Sequence, residues 1–283
     1  MNKILIVDGN NLLFQMFYGI PNKVYNKSHE TIHATLGFIS AILRLNKMLM
    51  PTHIIVVFDS DGSIEKEKVF QDYKKNRFVD WENLKDDEIP FNEEEKIIKC
   101  LNYLNIKVLK SKNMEADDLI ASLTYLFNDD QIYICSNDSD FFQLIKENIS
   151  IIKYKGKNTK IYGEKEFYEQ FDFPPSKYCF YKTLVGDSTD NIDGFTQIGK
   201  IRASQLVKNY NSFSEVLLDD KKVLTFKLMD IIQKEKDKYD RNLKIIKLKY
   251  HSEVKYSLDE FVFDKNKINE SNSMILSINH VFD

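Results

Sequence analysis

Nine carboxylates stand where alternating strands and helices would gather them. Asp8 closes the run KILIVD and Asp59 closes HIIVVFD. Glu115, Asp117 and Asp118 lie in MEADDLIASL at the expected start of a helix, Asp138 and Asp140 follow QIYICS in SNDSD, and Asp187 and Asp190 occupy VGDSTDNI. Taken one at a time each is ordinary, because Asp is a favoured helix cap and a common residue at strand ends. Taken together at one sheet edge they would repel one another unless cations neutralised them. An all-oxygen ligand set selects hard ions, magnesium or manganese, over zinc. Two such ions about 3.5 to 4 Å apart can activate a water and stabilise the leaving oxygen of a phosphodiester. That chemistry needs no Ser, Cys or His nucleophile.

Composition agrees with this reading. Cys100, Cys135 and Cys179 are odd in number, far apart and embedded in apolar sequence, which marks them as reduced core residues. The five His residues are scattered, without the paired spacing of a zinc site. A net charge of −3 looks unfavourable for a phosphate-rich partner. Setting aside the nine acids as metal ligands turns that −3 into +6 for the rest of the chain. Charged residues at 29% and apolar ones at 43% indicate a soluble globular protein. No apolar run approaches the ~20 residues needed to cross a bilayer, and Met1–Ile6 lacks the zones of a signal peptide. A cytoplasmic protein without a membrane partner is expected.

The elements that must position the acids follow from the apolar pattern. Lys3–Asp8 and His53–Asp59 read as buried parallel strands that present a carboxylate at their C-terminal ends. Between them, Ile32, Leu36, Ile39, Leu43 and Lys47 fall on neighbouring turns of a crossover helix over Thr31–Met50, stopped by Pro51. Further strands are expected at Lys107–Lys110, Gln131–Ser136 and Ile149–Tyr154, with helices at Glu93–Leu104, Ala116–Phe127 and Asp140–Lys146. Such alternation defines an α/β domain with a mostly parallel sheet, here residues 1–163, whose ligands collect at the C-terminal strand ends. From Glu164 onward helical patterns dominate, at Pro174–Val185, Gly199–Tyr210 and Val223–Leu248, giving a smaller helical region over 164–283. Ile64–Phe91 is highly charged, first basic and then acidic, and too long for an ordinary loop. Lys221–Lys255 is rich in Lys interleaved with acids, a pattern that suits either a solvated helical face or a non-specific duplex contact.

VDGNN, VFDSDG, YKKNR, EADDLIA, SNDSDFFQL and GDSTDNIDG occur in the order and approximate spacing of the 5′ nuclease, or flap endonuclease, family. From Lys3 to about Leu248 the chain resembles that family, which includes the 5′-3′ exonuclease domain of bacterial DNA polymerase I and the bacteriophage 5′ exonucleases. The last ~35 residues carry no motif. The resemblance implies a PIN-like resolvase core, a helical arch over about 65–93, and a helix–three-residue turn–helix motif over about 186–210. It implies a first ion site of Asp8, Asp59, Glu115, Asp117 and Asp118 and a second of Asp138, Asp140, Asp187 and Asp190, with Asp117 and Asp138 near both, for two Mg2+ or Mn2+ ions. Some members lack second-site acids, whereas this chain keeps them all.

By the same resemblance, Lys74 and Arg77 of YKKNR form the basic pair at the base of the arch that contacts the scissile phosphate. Fixed cations belong where charge develops on phosphoryl oxygens, and Arg suits that fork geometry. Phe14 matches an aromatic that stacks on a base near the cut; read without the family, a core position on the first helix fits it equally well. Gly194, Ile198, Gly199, Lys200 and Arg202, within GFTQIGKIRA, match the hairpin that grips duplex phosphates by backbone amides and a helix start and often holds K+ through carbonyls. Here the chain departs from the pattern. Asp193 stands where Pro is usual, Gln197 where Gly is usual, Arg202 where a small hydroxyl residue is common, and Gln15 where Arg is frequent.

These features imply a stand-alone, monomeric 5′-3′ exonuclease and 5′ flap endonuclease, acting in replication or repair on DNA with 5′ ends or flaps and adjacent duplex. A PIN-type ribonuclease shares the sheet and acids, but GDSTDNIDG and its hairpin are foreign to that smaller fold. A non-cleaving paralogue that binds DNA structures is disfavoured by nine intact acids.

Overall fold

Each central strand is buried on both faces, and side-chain alternation explains how. The structure, a computed structural model, describes residues 1–60, 83–263 and 278. In β1 (Lys3–Asp8) and β2 (His53–Phe58), Leu5, Val7, Ile54, Val56 and Phe58 face one apolar cluster, while Ile4, Ile6, Ile55 and Val57 face another. Successive side chains on a strand point to opposite faces, so continuous apolar runs require cover on both. The first face is covered by α1 (Gly9–Gly19), α2 (His33–Leu49) and α3 (Glu94–Tyr103). The second is covered by α4 (Ala116–Leu126) and by helices from the C-terminal half.

The sheet continues through β3 (Lys107–Lys110), β4 (Gln131–Cys135), β5 (Ile149–Lys153) and β6 (Lys160–Tyr162), in the order β3-β2-β1-β4-β5-β6. All neighbours are parallel except β5 and β6. The sequence leaves β6 unanticipated, because a three-residue edge strand carries too little pattern. It also reads Asp140–Lys146 as a helix; the structure has only a 3-10 turn over Asp140–Leu144, since Phe141, Phe142 and Leu144 bury against the core in place of forming an amphipathic stripe.

Beyond α5 (Glu164–Phe171) come α6 (Tyr178–Val185), α7 (Lys200–Asn209), α8 (Phe213–Leu218), α9 (Phe226–Lys234) and α10 (Asp237–Ile246). The single expected stretch Val223–Leu248 is thus two helices. A short antiparallel pair, β7 (Gly186–Asp187) and β8 (Ile192–Asp193), interrupts the helical run. After α10 the chain returns to the sheet: Phe261 packs against Phe127, and Val262 bridges to His53.

Candidate active site

The carboxylates collect where the strand order reverses. β2 and β3 lie to one side of β1 and β4 and β5 to the other, which opens a crevice at the C-terminal strand ends. Asp8 ends β1 and caps α1, one oxygen accepting from Asn11 N at 3.0 Å. The other accepts from Ser136 Oγ at 2.8 Å, just past β4. Only 6% of Asp8 is exposed. Burial, helped by the charges of Asp138 and Asp59, raises its carboxyl to about 7 against those hydrogen bonds.

Asp59 follows β2 and is exposed; its backbone N–H donates to Asn10 Oδ1 at 2.8 Å and its Oδ1 accepts from Ala116 N at 2.7 Å. Asp59 thereby caps α4 and fixes its first turn at the end of β2. Glu115 is buried at the N-cap of that helix, with Asp117 half-buried in the first turn. Asp118 is buried and accepts from Lys249 N at 2.9 Å, so the returning C-terminal chain closes over it.

The SNDSD loop is held from several sides. Asp138 Oδ1 accepts from Asp140 N at 2.8 Å, and Lys153 Nζ donates to the Asp138 carbonyl at 2.6 Å. Gln15 accepts from Asn137 Nδ2 at 2.8 Å and donates to the Tyr154 carbonyl at 2.6 Å. The residue standing in place of a frequent Arg therefore ties the ends of β4 and β5 together. Gln143 bridges the same turn to the end of α10, donating to the Ile246 carbonyl and accepting from Leu248 N.

Asp140, Asp187 and Asp190 each offer one oxygen, all within 4.8 Å of one another, and these three could hold a metal ion. Lys182 of α6 reaches into this group. Its ammonium pairs with Asp140 and lies 2.6 Å from Asp187 Oδ2. Burial alone would lower the Lys182 pKa, but Asp140, Asp138, Tyr178 and Asp187 outweigh it and raise it. Asp187 is held low: burial opposes its charge, and Lys182 with the Thr189 amide overcomes that. Burial raises Asp140 to about 7 even with Lys182 beside it. The donor set fits a hard divalent cation. It is all oxygen and largely buried, the kind of site a hard divalent ion takes.

Glycine is required where the chain turns from α6 into the hairpin. Gly186 has φ +79°, and a Cβ there would lie 2.3 Å from Gly194 N; a Cβ on Gly194 would lie 2.1 Å from the Val185 carbonyl oxygen. Asn242, fully buried, locks this crossing by donating to the Thr183 and Asp193 carbonyls. Ile198 is buried beneath the turn, Gly199 is the N-cap of α7, and Lys200 and Arg202 are exposed on its first turn. Gln197 adopts φ 64°, the left-handed conformation that explains why Gly is usual there. Arg202 Nη1 donates to the Gln197 carbonyl at 2.6 Å, so a guanidinium already engages that turn oxygen.

Phe14 is half-buried on α1 and meets Phe91 edge-on at 5.2 Å and Tyr18 at 6.0 Å. Glu93, fully buried nearby, accepts from Thr35 N and Oγ1 at 2.7 and 2.9 Å and lies 3.1 Å from His33 Nδ1, anchoring the chain that re-enters after the expected arch. Lys74 and Arg77, with most of that arch, lie outside the described residues. Sequence reasoning missed Lys182, Lys153, Gln143 and Asn242. The available signal was a Lys in the otherwise apolar face of YCFYKTLV, five residues before Asp187.

A mostly parallel α/β core with acids at its switch point, followed by a helical region with a hairpin, defines the class: a resolvase-like domain joined to a helical domain. The model of the 5′-3′ exonuclease N-terminal resolvase-like domain matches residues 3–172, and that of the 5′-3′ exonuclease C-terminal SAM fold matches 173–269. The chain belongs to the 5′-3′ exonuclease family. A 5′-3′ exonuclease of Aquifex aeolicus is 28% identical over 95% of this chain and 90% of its own length, and one of Bacillus subtilis is 32% identical over 76% and 73%. Among solved structures, the T5 5′-exonuclease with bound zinc shares the fold at TM-score 0.72, 20% identity and 99% and 98% coverage. The catalytic core of Rad2 in complex with DNA substrate shares it at TM-score 0.63, 16% identity and 98% and 93% coverage. Among the described residues no helix is long and apolar enough to cross a membrane.

Proposed function

We propose that this chain is a structure-specific 5′-3′ exonuclease and 5′ flap endonuclease that hydrolyses DNA in replication or repair, with two divalent ions, magnesium or manganese. The observation that carries the reading is the convergence of buried acids at the switch point, with Asp140, Asp187 and Asp190 oxygens within 4.8 Å. Family membership gives that convergence its reaction class. Asp8, Asp59, Glu115, Asp117 and Asp118 would hold one ion, and Asp138, Asp140, Asp187 and Asp190 the other. Such ions, when bound, supply an activated water and neutralise charge on the phosphate oxygens.

The chain's own residues do the rest. Ser136 and the Asn11 amide aim the two oxygens of Asp8, and Asp59 orients the start of α4. Lys74 and Arg77 would meet the phosphate, and Phe14 would support an unpaired terminal base. Residues 1–163, together with Asp187 and Asp190, are assigned the chemistry. Residues 164–283 are assigned the duplex grip, through Gly194, Ile198, Gly199, Lys200 and Arg202. Two structured proteins with this fold are complexes with DNA, the Rad2 core and the T5 D15 flap endonuclease, which supports DNA as the substrate.

The test is product mapping on a labelled 5′ flap with Mg2+, Mn2+ and chelator, beside a matched RNA. Cleavage at the flap junction, with short products from 5′ ends and loss of both in chelator, is expected. Preference for RNA would point to a PIN-type ribonuclease. Binding without cleavage would point to a non-cleaving paralogue.

A further inference from the structure

Lys182 has a place in the site that its role in folding does not explain. It is 6% exposed, on the buried face of α6, with its ammonium among Asp140, Asp187 and the Ser139 hydroxyl. Removing an ammonium from water costs several kcal/mol, of order, unless it is fully paired. An apolar residue at this turn would avoid that cost. The two carboxylates that pair with it are also two of the three whose oxygens converge for a metal ion. An oxygen lone pair given to Lys182 is not available to an ion, so the two cations compete for the same donors. The second nearby lysine differs in kind. Lys153 donates to the Asp138 backbone carbonyl and lies over the Phe142 ring, 4.7 Å from its centroid.

We infer that Lys182 is a tethered resident cation of the Asp140, Asp187 and Asp190 group: it holds these acids together before an ion arrives, and it must give up oxygens when one binds, which sets that ion's affinity. The inference rests on the proposed second ion site. It predicts opposite effects of neutralising Lys182: the ion-free protein becomes less stable, and the ion binds more tightly.

Mn2+ binding to the full chain, counted by electron paramagnetic resonance, together with melting temperature in chelator and in Mn2+, tests it. Asp190→Asn is expected to remove one Mn2+ from the count; if the count is unchanged, the second-site reading itself fails. Lys182→Met is expected to tighten the ion lost in Asp190→Asn by about tenfold or more. Its melting temperature should fall in chelator and recover further with Mn2+ than that of the wild type. Lys182→Arg keeps the charge and should leave both readouts near wild type. An unchanged or weaker Mn2+ affinity in Lys182→Met, with the Asp190→Asn loss intact, would overturn the inference alone. Equal tightening in Lys153→Met would also overturn it, by showing that any nearby positive charge acts alike. If Lys182→Met does not fold in either condition, Lys182→Gln, which keeps a donor without the charge, is read by the same titration.

Discussion

Around Asp8, Asp59 and Asp118 the carboxylate oxygens are met by the amides of Asn11, Ala116 and Lys249 and by the Ser136 hydroxyl. Around Asp140 and Asp187 they are met by the ammonium of Lys182. Amides and hydroxyls fix the direction of an acid without cancelling its charge. In the first group Asp8 is therefore aimed by neutral donors, and burial is what raises its carboxyl. The second carries a compensating charge on a side chain able to change rotamer. One edge of a sheet thus holds Asp8 aimed by neutral donors and Asp140 and Asp187 aimed by an ammonium.

Asp138 is the sharpest place to break this contrast, because it influences both Asp8 and Asp140. Asp138→Ala is expected to lower the single-turnover cleavage rate on a flap by on the order of 10³-fold, the scale of losing a stabiliser of transition-state charge. Binding to flap DNA, followed by fluorescence anisotropy in Ca2+, should persist. Retention of full activity would remove Asp138 from the shared role.

A smaller effect separates the first group by pH. The Asp8 carboxyl titrates near 7 when folded, against 3.8 ordinarily. Between those values the folded state holds the extra proton, so the contribution of Asp8 to stability falls as pH rises from about 4 to about 7. In chelator, Asp8→Asn should accordingly be more stable than wild type at pH 8, by on the order of 2 kcal/mol. The gain should be nearly gone at pH 4, where folded Asp8 is protonated and unfolded Asp8 is about half protonated. Urea melts at the two pH values check this, and a gain that grows toward acid would contradict the burial argument.

The smallest effects belong to the hairpin. Gln197 occupies a left-handed conformation, so Gln197→Gly should stabilise the protein by about 1 kcal/mol in thermal melts. Because Arg202 already engages the Gln197 carbonyl, cleavage should respond little to replacing Na+ with K+. Arg202→Ala should make that response larger. A strong K+ requirement in the unmodified chain would argue against this reading of the turn.

The strands that carry Asp8 and Asp59 were legible because a doubly buried strand needs an unbroken apolar run, and KILIV and HIIVVF supply one. The α4 acids were legible from the helical pattern that follows them. Lys182 was not, since the residues that pair with it lie 42 positions away and five positions ahead along the chain. Gln15 reads in sequence as a missing phosphate contact; its joining of two loops depends on Tyr154, 139 residues on, which no local pattern reveals. The turn Asp140–Leu144 resembles a helix because aromatic burial and helical amphipathicity give the same short apolar spacing.

The return of the chain after α10 bears on the order in which the protein is made. Asp118 and Ser122 receive the amides of Lys249 and His251, 131 and 129 residues further along. Contacts of such separation form late, because they close long loops. A ribosome delivers every acid through Asp190 before the segment that seals Asp118. Lys249 and His251, beyond the last motif, are thus the residues whose arrival completes the wall beside Asp118.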